Sequence, residues 1–349
     1  MKPVARALRS LGCEPMLVFT GQHAGLAPAA FGLADFPRIE LALPGTADPH
    51  RHVRAVTREV RRSLRGADLV VVQGDTSSAL GAALAGFAER VPVAHVEAGL
   101  RTHDPRLPWP EEEYRIAIDA HADLLFAPTA LAAANLRAEK VSGQIHVTGN
   151  TAIDAALEVE ARLPAPALRE RSTPSILVTC HRRESWGDGL DGIAGALRHL
   201  ASDGVLVDFV LHPNAFVAKN MRSVLEGQAN IRLIGPCRHD ELIRRMHVAD
   251  LLLSDSGGIQ EEAPTYGIPL LVLREKTERP EGVMSGNAIL VGTDPERIIG
   301  ETRRLLADPV ARNAMSRRSM PFGDGRSGAR IAAIICEWLE QRSLTSSLG

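Results

Sequence analysis

Residues 250–264 read DLLLSDSGGIQEEAP, an apolar run from Leu251 to Leu253 that breaks at Ser254-Asp255-Ser256-Gly257-Gly258 and resumes with helical character through Glu261 and Glu262. The spacing predicts a strand, a tight turn and a helix N-terminus. Adjacent glycines let a ligand approach the backbone without a Cβ in the way, and the unpaired amides that open a helix favour an anion such as a phosphate. A carboxylate one turn further on, Glu261 or Glu262, is placed to accept hydrogen bonds from vicinal sugar hydroxyls. A phosphate cradle beside a hydroxyl reader suggests a nucleotide. The plainer alternative is a simple turn followed by acidic residues that offset the helix dipole.

Outward from this block, short apolar runs alternate with helical segments along the whole chain, the pattern of parallel strands joined by helical crossovers. Strands are predicted at 16–20, 68–73, 93–98, 123–129 and 144–149, with helices at about 49–65, 76–90, 110–121 and 129–139. Residues 163–174, LPAPALRERSTP, turn to Pro, Ala, Arg and Ser, and the strand runs SILVTC, LVDFVLH, NIRLIG, DLLLSDS and PLLVL follow. The reading is α/β with two Rossmann-like doubly wound domains, 1–165 and 166–326, and a helix at 327–342 that crosses back onto the first. No sequence repeat is present.

The 349 residues, 45% of them hydrophobic, suffice for two cores. With 40 basic against 42 acidic side chains and 4% aromatics, the chain offers neither the field nor the stacking platforms of a nucleic-acid binder. Cys13, Cys180, Cys237 and Cys336 lie far apart, so neither a disulfide framework nor a structural zinc site is predicted, which suits a reducing cytoplasm. No apolar run reaches membrane-spanning length and no signal-peptide layout opens the chain.

Ligand sites in such sheets lie at the carboxyl ends of the strands. There the sequence places Gln73-Gly74-Asp75-Thr76, Glu97-Ala98-Gly99, Cys180-His181-Arg182-Arg183-Glu184 and His212-Pro213-Asn214. Together with the Ser-Gly-Gly turn, these are expected to line one cleft. Structural roles are available as alternatives: Asp75 as an N-cap, Glu111 as a first-turn acid after Pro110, His212 as a satisfied strand-end imidazole, and the cluster at His181 as a solvated charge group.

The blocks QGDT (73–76), HVEAGLRT (95–102), PWPEE (108–112), TGNTAID (148–154), VTCHRRESWG (178–187) and SDSGGIQEEAP (254–264) with ERPE (278–281) resemble, in order and spacing, the non-hydrolysing UDP-N-acetylglucosamine 2-epimerases. The resemblance covers almost the whole chain. It implies two Rossmann-like domains across a cleft, as in GT-B glycosyltransferases, and a reaction without metal or nicotinamide cofactor. UDP-GlcNAc would lose its C2 proton and UDP, leaving 2-acetamidoglucal, and UDP would add back with protonation from the opposite face to give UDP-ManNAc. The matching positions imply Asp75, Glu97 and Glu111 as the acid and base carboxylates, with His212 assisting. Ser256, Gly257, Gly258, Glu262 and Arg279 would hold UDP, and Lys2, Arg115, His181, Arg183 and Asn214 complete the implied substrate contacts. A second UDP-GlcNAc near Gln22, His23 and His181, and a homodimer, are further implications.

The family's opening strand and its arginine-bearing loop have no counterpart before Met1, and Lys2 is the one residue that matches there. Leu242 stands where a ring would pack on uracil, and Glu113-Tyr114-Arg115 replaces small or amide residues. A GT-B glycosyltransferase, a hydrolysing relative that releases ManNAc, and a UDP-sugar binding protein without catalysis are the competing readings.

Overall fold

A computed structural model describes residues 1–22, 32–164, 173–180, 188–212 and 215–346. His23, His181, Arg183, Asn214 and most of the 163–174 linker lie outside these residues. In chain order the elements are α1 (Lys2–Ser10), β1 (Leu17–Phe19), β2 (Arg38–Glu40), α2 (Pro49–Arg61), β3 (Val70–Gln73), α3 (Ser77–Glu89), β4 (Val93–Val96) and α4 (Glu111–Asp119). Next come β5 (Leu124–Ala127), α5 (Ala130–Ala138), β6 (Gln144–Val147), α6 (Thr151–Glu160), β7 (Ser175–Thr179), α7 (Asp188–Ser202), β8 (Leu206–Val210), α8 (Ala215–Leu225) and β9 (Ile231–Ile234). The chain continues with α9 (His239–Val248), β10 (Leu251–Ser254), α10 (Gly257–Tyr266), β11 (Leu270–Val272), α11 (Glu281–Met284), β12 (Ala288–Leu290), α12 (Pro295–Ala307), α13 (Pro309–Met315) and α14 (Ser327–Ser346).

These elements form two compact units, Met1–Ala155 with Phe322–Gly349, and Ala156–Pro321. The division falls inside α6, earlier than the break at 165/166 that composition suggested. The reason is packing: Ala156 is buried in the second unit's core, with Val159 and Leu163 against it.

In the first unit β3, β4, β5 and β6 form a parallel sheet in that order, and β1 pairs with β2 in a separate parallel pair. Every residue of β4 and β5 is buried, which requires cover on both faces. Alternation divides the work. Val70, Val72, Val93, Leu125 and Ala127 pack with α2, α3, α4 and α5, whereas Ala94, Val96, Leu124 and Phe126 meet Val4 and Leu8 of α1 and Ile331, Ala332 and Ile335 of α14. Asp154 secures the start of α14 by accepting the Ser327 and Gly328 amides at 3.1 and 2.7 Å. Between α14 and the end of α1, Cys13 Sγ and Cys336 Sγ lie 3.0 Å apart, a pairing that their separation in sequence gave no reason to expect.

The second unit carries a six-stranded parallel sheet in the order β12-β11-β10-β7-β8-β9. Ile176, Val178, Phe209, Leu251, Leu253 and Leu271 face α7, α8 and α12, and Leu177, Val210, Leu252, Leu270 and Val272 face α9 and α10. The order reverses between β7 and β10, so the crevice that such sheets offer a ligand opens beyond Thr179 and Ser254.

Candidate active site

In the first unit the loop after β3 turns at Gly74 (φ 68°) and enters α3 at Thr76, whose hydroxyl accepts the Ala79 amide at 3.1 Å. Thr76 is therefore the N-cap, and the capping role considered for Asp75 falls away. The Asp75 carboxylate instead pairs with Arg115, which also donates to Glu112 Oε2 at 2.9 Å. Glu112 in turn accepts the Thr102 and His103 amides at 2.9 and 3.0 Å. Arg115, implied as a substrate contact, is buried between two carboxylates and serves as an internal bridge from α4 to the Asp75 turn.

Glu97 follows β4 with φ 72°, a left-handed conformation that is costly for a residue with a long side chain. The turn is held from both sides. The Glu97 and Ala98 amides both donate to Phe126 O, at 3.0 and 3.1 Å, and the Gly74 amide donates to Val96 O at 3.0 Å. A Cβ on Gly74 would lie 3.5 Å from Glu97 Oε2, so the Asp75 and Glu97 turns adjoin. Glu111, half-buried, opens α4, the helix whose Arg115 reaches Asp75. Lys2 begins α1 next to Met1, whose nitrogen lies 2.6 Å from Gln73 Oε1. Gln22 accepts the Ser78 amide at 3.2 Å and its hydroxyl at 2.6 Å, tying the chain after β1 to the start of α3.

In the second unit Ser256 precedes α10 and makes no side-chain capping bond, and no acidic residue occupies the first turn. The amide-rich end of α10 meets a cation. A Cβ on Gly257 would lie 2.8 Å from Arg279 Cζ and Nη1, so the bare glycine is what admits the guanidinium. Arg279 is fixed by Glu261 at 2.6 Å and by Glu278, which also takes Arg274 at 2.8 Å. Glu262 Oε1 is held by His239 Nε2 at 2.9 Å, while its Oε2 is buried without a partner. At the same strand ends Asp255 is fully buried and accepts from Cys180 Sγ at 3.2 Å. The His212 imidazole is held below its ordinary value by burial, against the opposing charge of Asp255, and is neutral at pH 7.

His239 escaped the sequence reading because its partner lies 23 residues away on another helix. The Glu262 hydrogen bond raises the His239 imidazole above its ordinary value, against partial burial. A folded-state value above the unfolded one contributes stability that is complete below the unfolded imidazole range, about 6.5, and is lost as pH rises through the raised value. The melting temperatures of the wild type and His239→Gln are thus expected to differ most at low pH and to converge on the alkaline side. Parallel curves across the range would count against the pair.

Among the described residues no cluster of three or more His, Cys, Asp or Glu is arranged to hold a metal ion, and no helix is long and apolar enough to cross a membrane. Parallel α/β units with ionisable side chains gathered at the carboxyl ends of their strands define an α/β enzyme.

The comparisons narrow the class. A family model described as UDP-N-acetylglucosamine 2-epimerase matches residues 6–336. A protein of Ralstonia solanacearum called a probable UDP-N-acetylglucosamine 2-epimerase is 39% identical over 359 residues, covering 96% of this chain and 94% of that protein. The structure of a putative UDP-N-acetylglucosamine 2-epimerase from Listeria monocytogenes matches with a TM-score of 0.89 at 33% identity, over 98% of this chain and 93% of that one. The UDP-GlcNAc 2-epimerase of Neisseria meningitidis, solved bound to UDP-GlcNAc, matches with a TM-score of 0.84 at 30% identity, over 92% and 99%. The chain belongs to the UDP-N-acetylglucosamine 2-epimerase family.

Proposed function

We propose that this chain interconverts UDP-N-acetylglucosamine and UDP-N-acetylmannosamine by anti-elimination of UDP and its re-addition to 2-acetamidoglucal. The observation that carries the reading is that neither Asp75 nor Glu97 is spent on a helix cap, although both sit on strand-end turns. The C2 proton is poorly acidic, so its removal needs a positioned base, and inversion needs an acid on the other face; Asp75, Glu97 and Glu111 supply the candidates. Departing UDP gathers negative charge, which the uncapped start of α10 at Ser256, Gly257 and Gly258 and the Arg279 guanidinium are suited to stabilise. The unpartnered Glu262 oxygen suits a ribose hydroxyl, and neutral His212 suits a hydrogen bond to sugar or diphosphate. His181, Arg183, Asn214 and Lys2 are carried as further substrate contacts. A homodimer and a second, regulatory UDP-GlcNAc site belong to the same proposal, and sedimentation with and without UDP-GlcNAc tests both.

The deciding experiment is proton NMR of UDP-GlcNAc with the chain in D₂O. Deuterium at C2 accompanied by UDP-ManNAc supports the reading. Free ManNAc and UDP would make the chain a hydrolase, and UDP binding without exchange would make it a binding protein.

Gly257→Ala is expected to weaken UDP binding by about tenfold, the loss of one charge-assisted contact, because Glu261 and Glu278 leave Arg279 no room to step aside. Calorimetric titration with UDP checks it, and unchanged affinity would remove Arg279 from the site.

A further inference from the structure

His95 is fully buried within β4, between Ala94 and Val96. Its Nδ1 lies 2.6 Å from Asp119 Oδ1 at the end of α4, and its Nε2 lies 2.9 Å from the Gly74 carbonyl oxygen. A carbonyl only accepts, and so does a carboxylate, so both ring nitrogens must donate and the ring is an imidazolium. Asp119, also fully buried, turns its other oxygen to the Gly99 amide at 3.0 Å and to Arg101 Nη2 at 2.8 Å. Arg101 then reaches Glu139 at 2.7 Å, so two cations and two anions balance. The groups whose charge bears on the ring are Asp119 and Glu97, with Arg101 beyond Asp119. Burial, the largest influence, opposes the charge on His95, yet the Asp119 charge and hydrogen bond, the Gly74 carbonyl and Glu97 together raise the ring above its ordinary value. Asp119 is correspondingly held below the usual carboxylate range: burial opposes this, and His95 and Arg101 overcome it.

The connections single out two loops. Gly74 precedes Asp75, and Gly99 follows Glu97 by two residues. We propose that His95 is a positively charged positioning residue, which holds the Gly74 carbonyl directly and the Gly99 amide through Asp119, so that the turns carrying Asp75 and Glu97 keep one spacing through the reaction. This rests on the proposed function.

The test has two readouts. In protein labelled with ¹⁵N-histidine and assigned through the backbone, both His95 ring nitrogens are expected to stay protonated at about pH 8, above the ordinary imidazole range. Asp119→Asn keeps the volume and one acceptor oxygen but removes the charge. In that variant one His95 nitrogen is expected to lose its proton, and kcat for C2 exchange to fall by about 10²-fold while KM for UDP-GlcNAc changes by less than about twofold. A wild-type His95 that is neutral at that pH overturns the proposal, as does a variant that melts earlier with kcat intact. If Asp119→Asn does not fold, the wild-type ring signal still decides the proposal: a neutral His95 overturns it and a doubly protonated ring supports it. Should the wild type show no C2 exchange at all, the functional reading fails while the ring signal stands or falls separately.

Discussion

Glu97→Gln is expected to slow C2 proton exchange by about 10²–10⁴-fold, the range removed with one general acid or base, while UDP affinity changes little. The substitution is isosteric, and the turn is fixed by backbone bonds that do not involve the side chain: the Glu97 and Ala98 amides on Phe126 O, and the Gly74 amide on Val96 O. It therefore removes a carboxylate while leaving those backbone bonds in place. Asp75→Asn is a less clean experiment because Asp75 is ion-paired with buried Arg115, and a loss of rate there would mix chemistry with the loosening of α4. Exchange measured in D₂O beside UDP titration separates the two quantities. A Glu97→Gln enzyme within a few-fold of the wild type would take Glu97 out of the proton transfers.

The second large effect concerns stability. Arg274, Glu278, Arg279 and Glu261 form a chain of ion pairs whose side chains are 1, 0, 10 and 2% exposed. Removing one partner of a buried pair strands the others, at a cost of about 3–5 kcal/mol. Glu278→Ala removes a carboxylate from Arg274 and from Arg279 at once, Arg279 keeping Glu261, so we expect a loss within that range in denaturant unfolding, together with weakened UDP binding as Arg279 is held from one side only. Glu278→Gln, which keeps acceptor oxygen for one of the two, should lose less. A loss below about 1 kcal/mol would mean that water reaches the guanidinium groups and that the pairs behave as surface pairs do.

Legibility in the sequence followed the range of the interactions. The runs that became β4, β5, β7 and β10 are apolar because both their faces are covered, and that signal is local. By contrast β2, Arg38–Glu40, offers a lone apolar residue, Ile39, and β12 is three residues long, so neither has a period to detect. The Ser256–Glu262 block was readable because strand end, glycines and helix start are contiguous. His95 with Asp119, and His239 with Glu262, are 24 and 23 residues apart on different elements, and no spacing rule joins them. His95 did leave one trace, an ionisable residue in an otherwise apolar strand, which in a buried sheet demands a partner. Arg115 shows the opposite case: its i,i+3 relation to Glu112 is visible in the sequence, but its burial and its reach to Asp75 are not.

The packing of α14 also sets an order of events during synthesis. Val4 and Leu8 are covered by Ile331, Ala332 and Ile335, which are made only after the whole of the second unit. The second unit needs nothing from α14 for its core and can close while the chain is still growing. The first unit is thus the one that closes last, and until α14 has been made the face of β4 and β5 that it covers stands open.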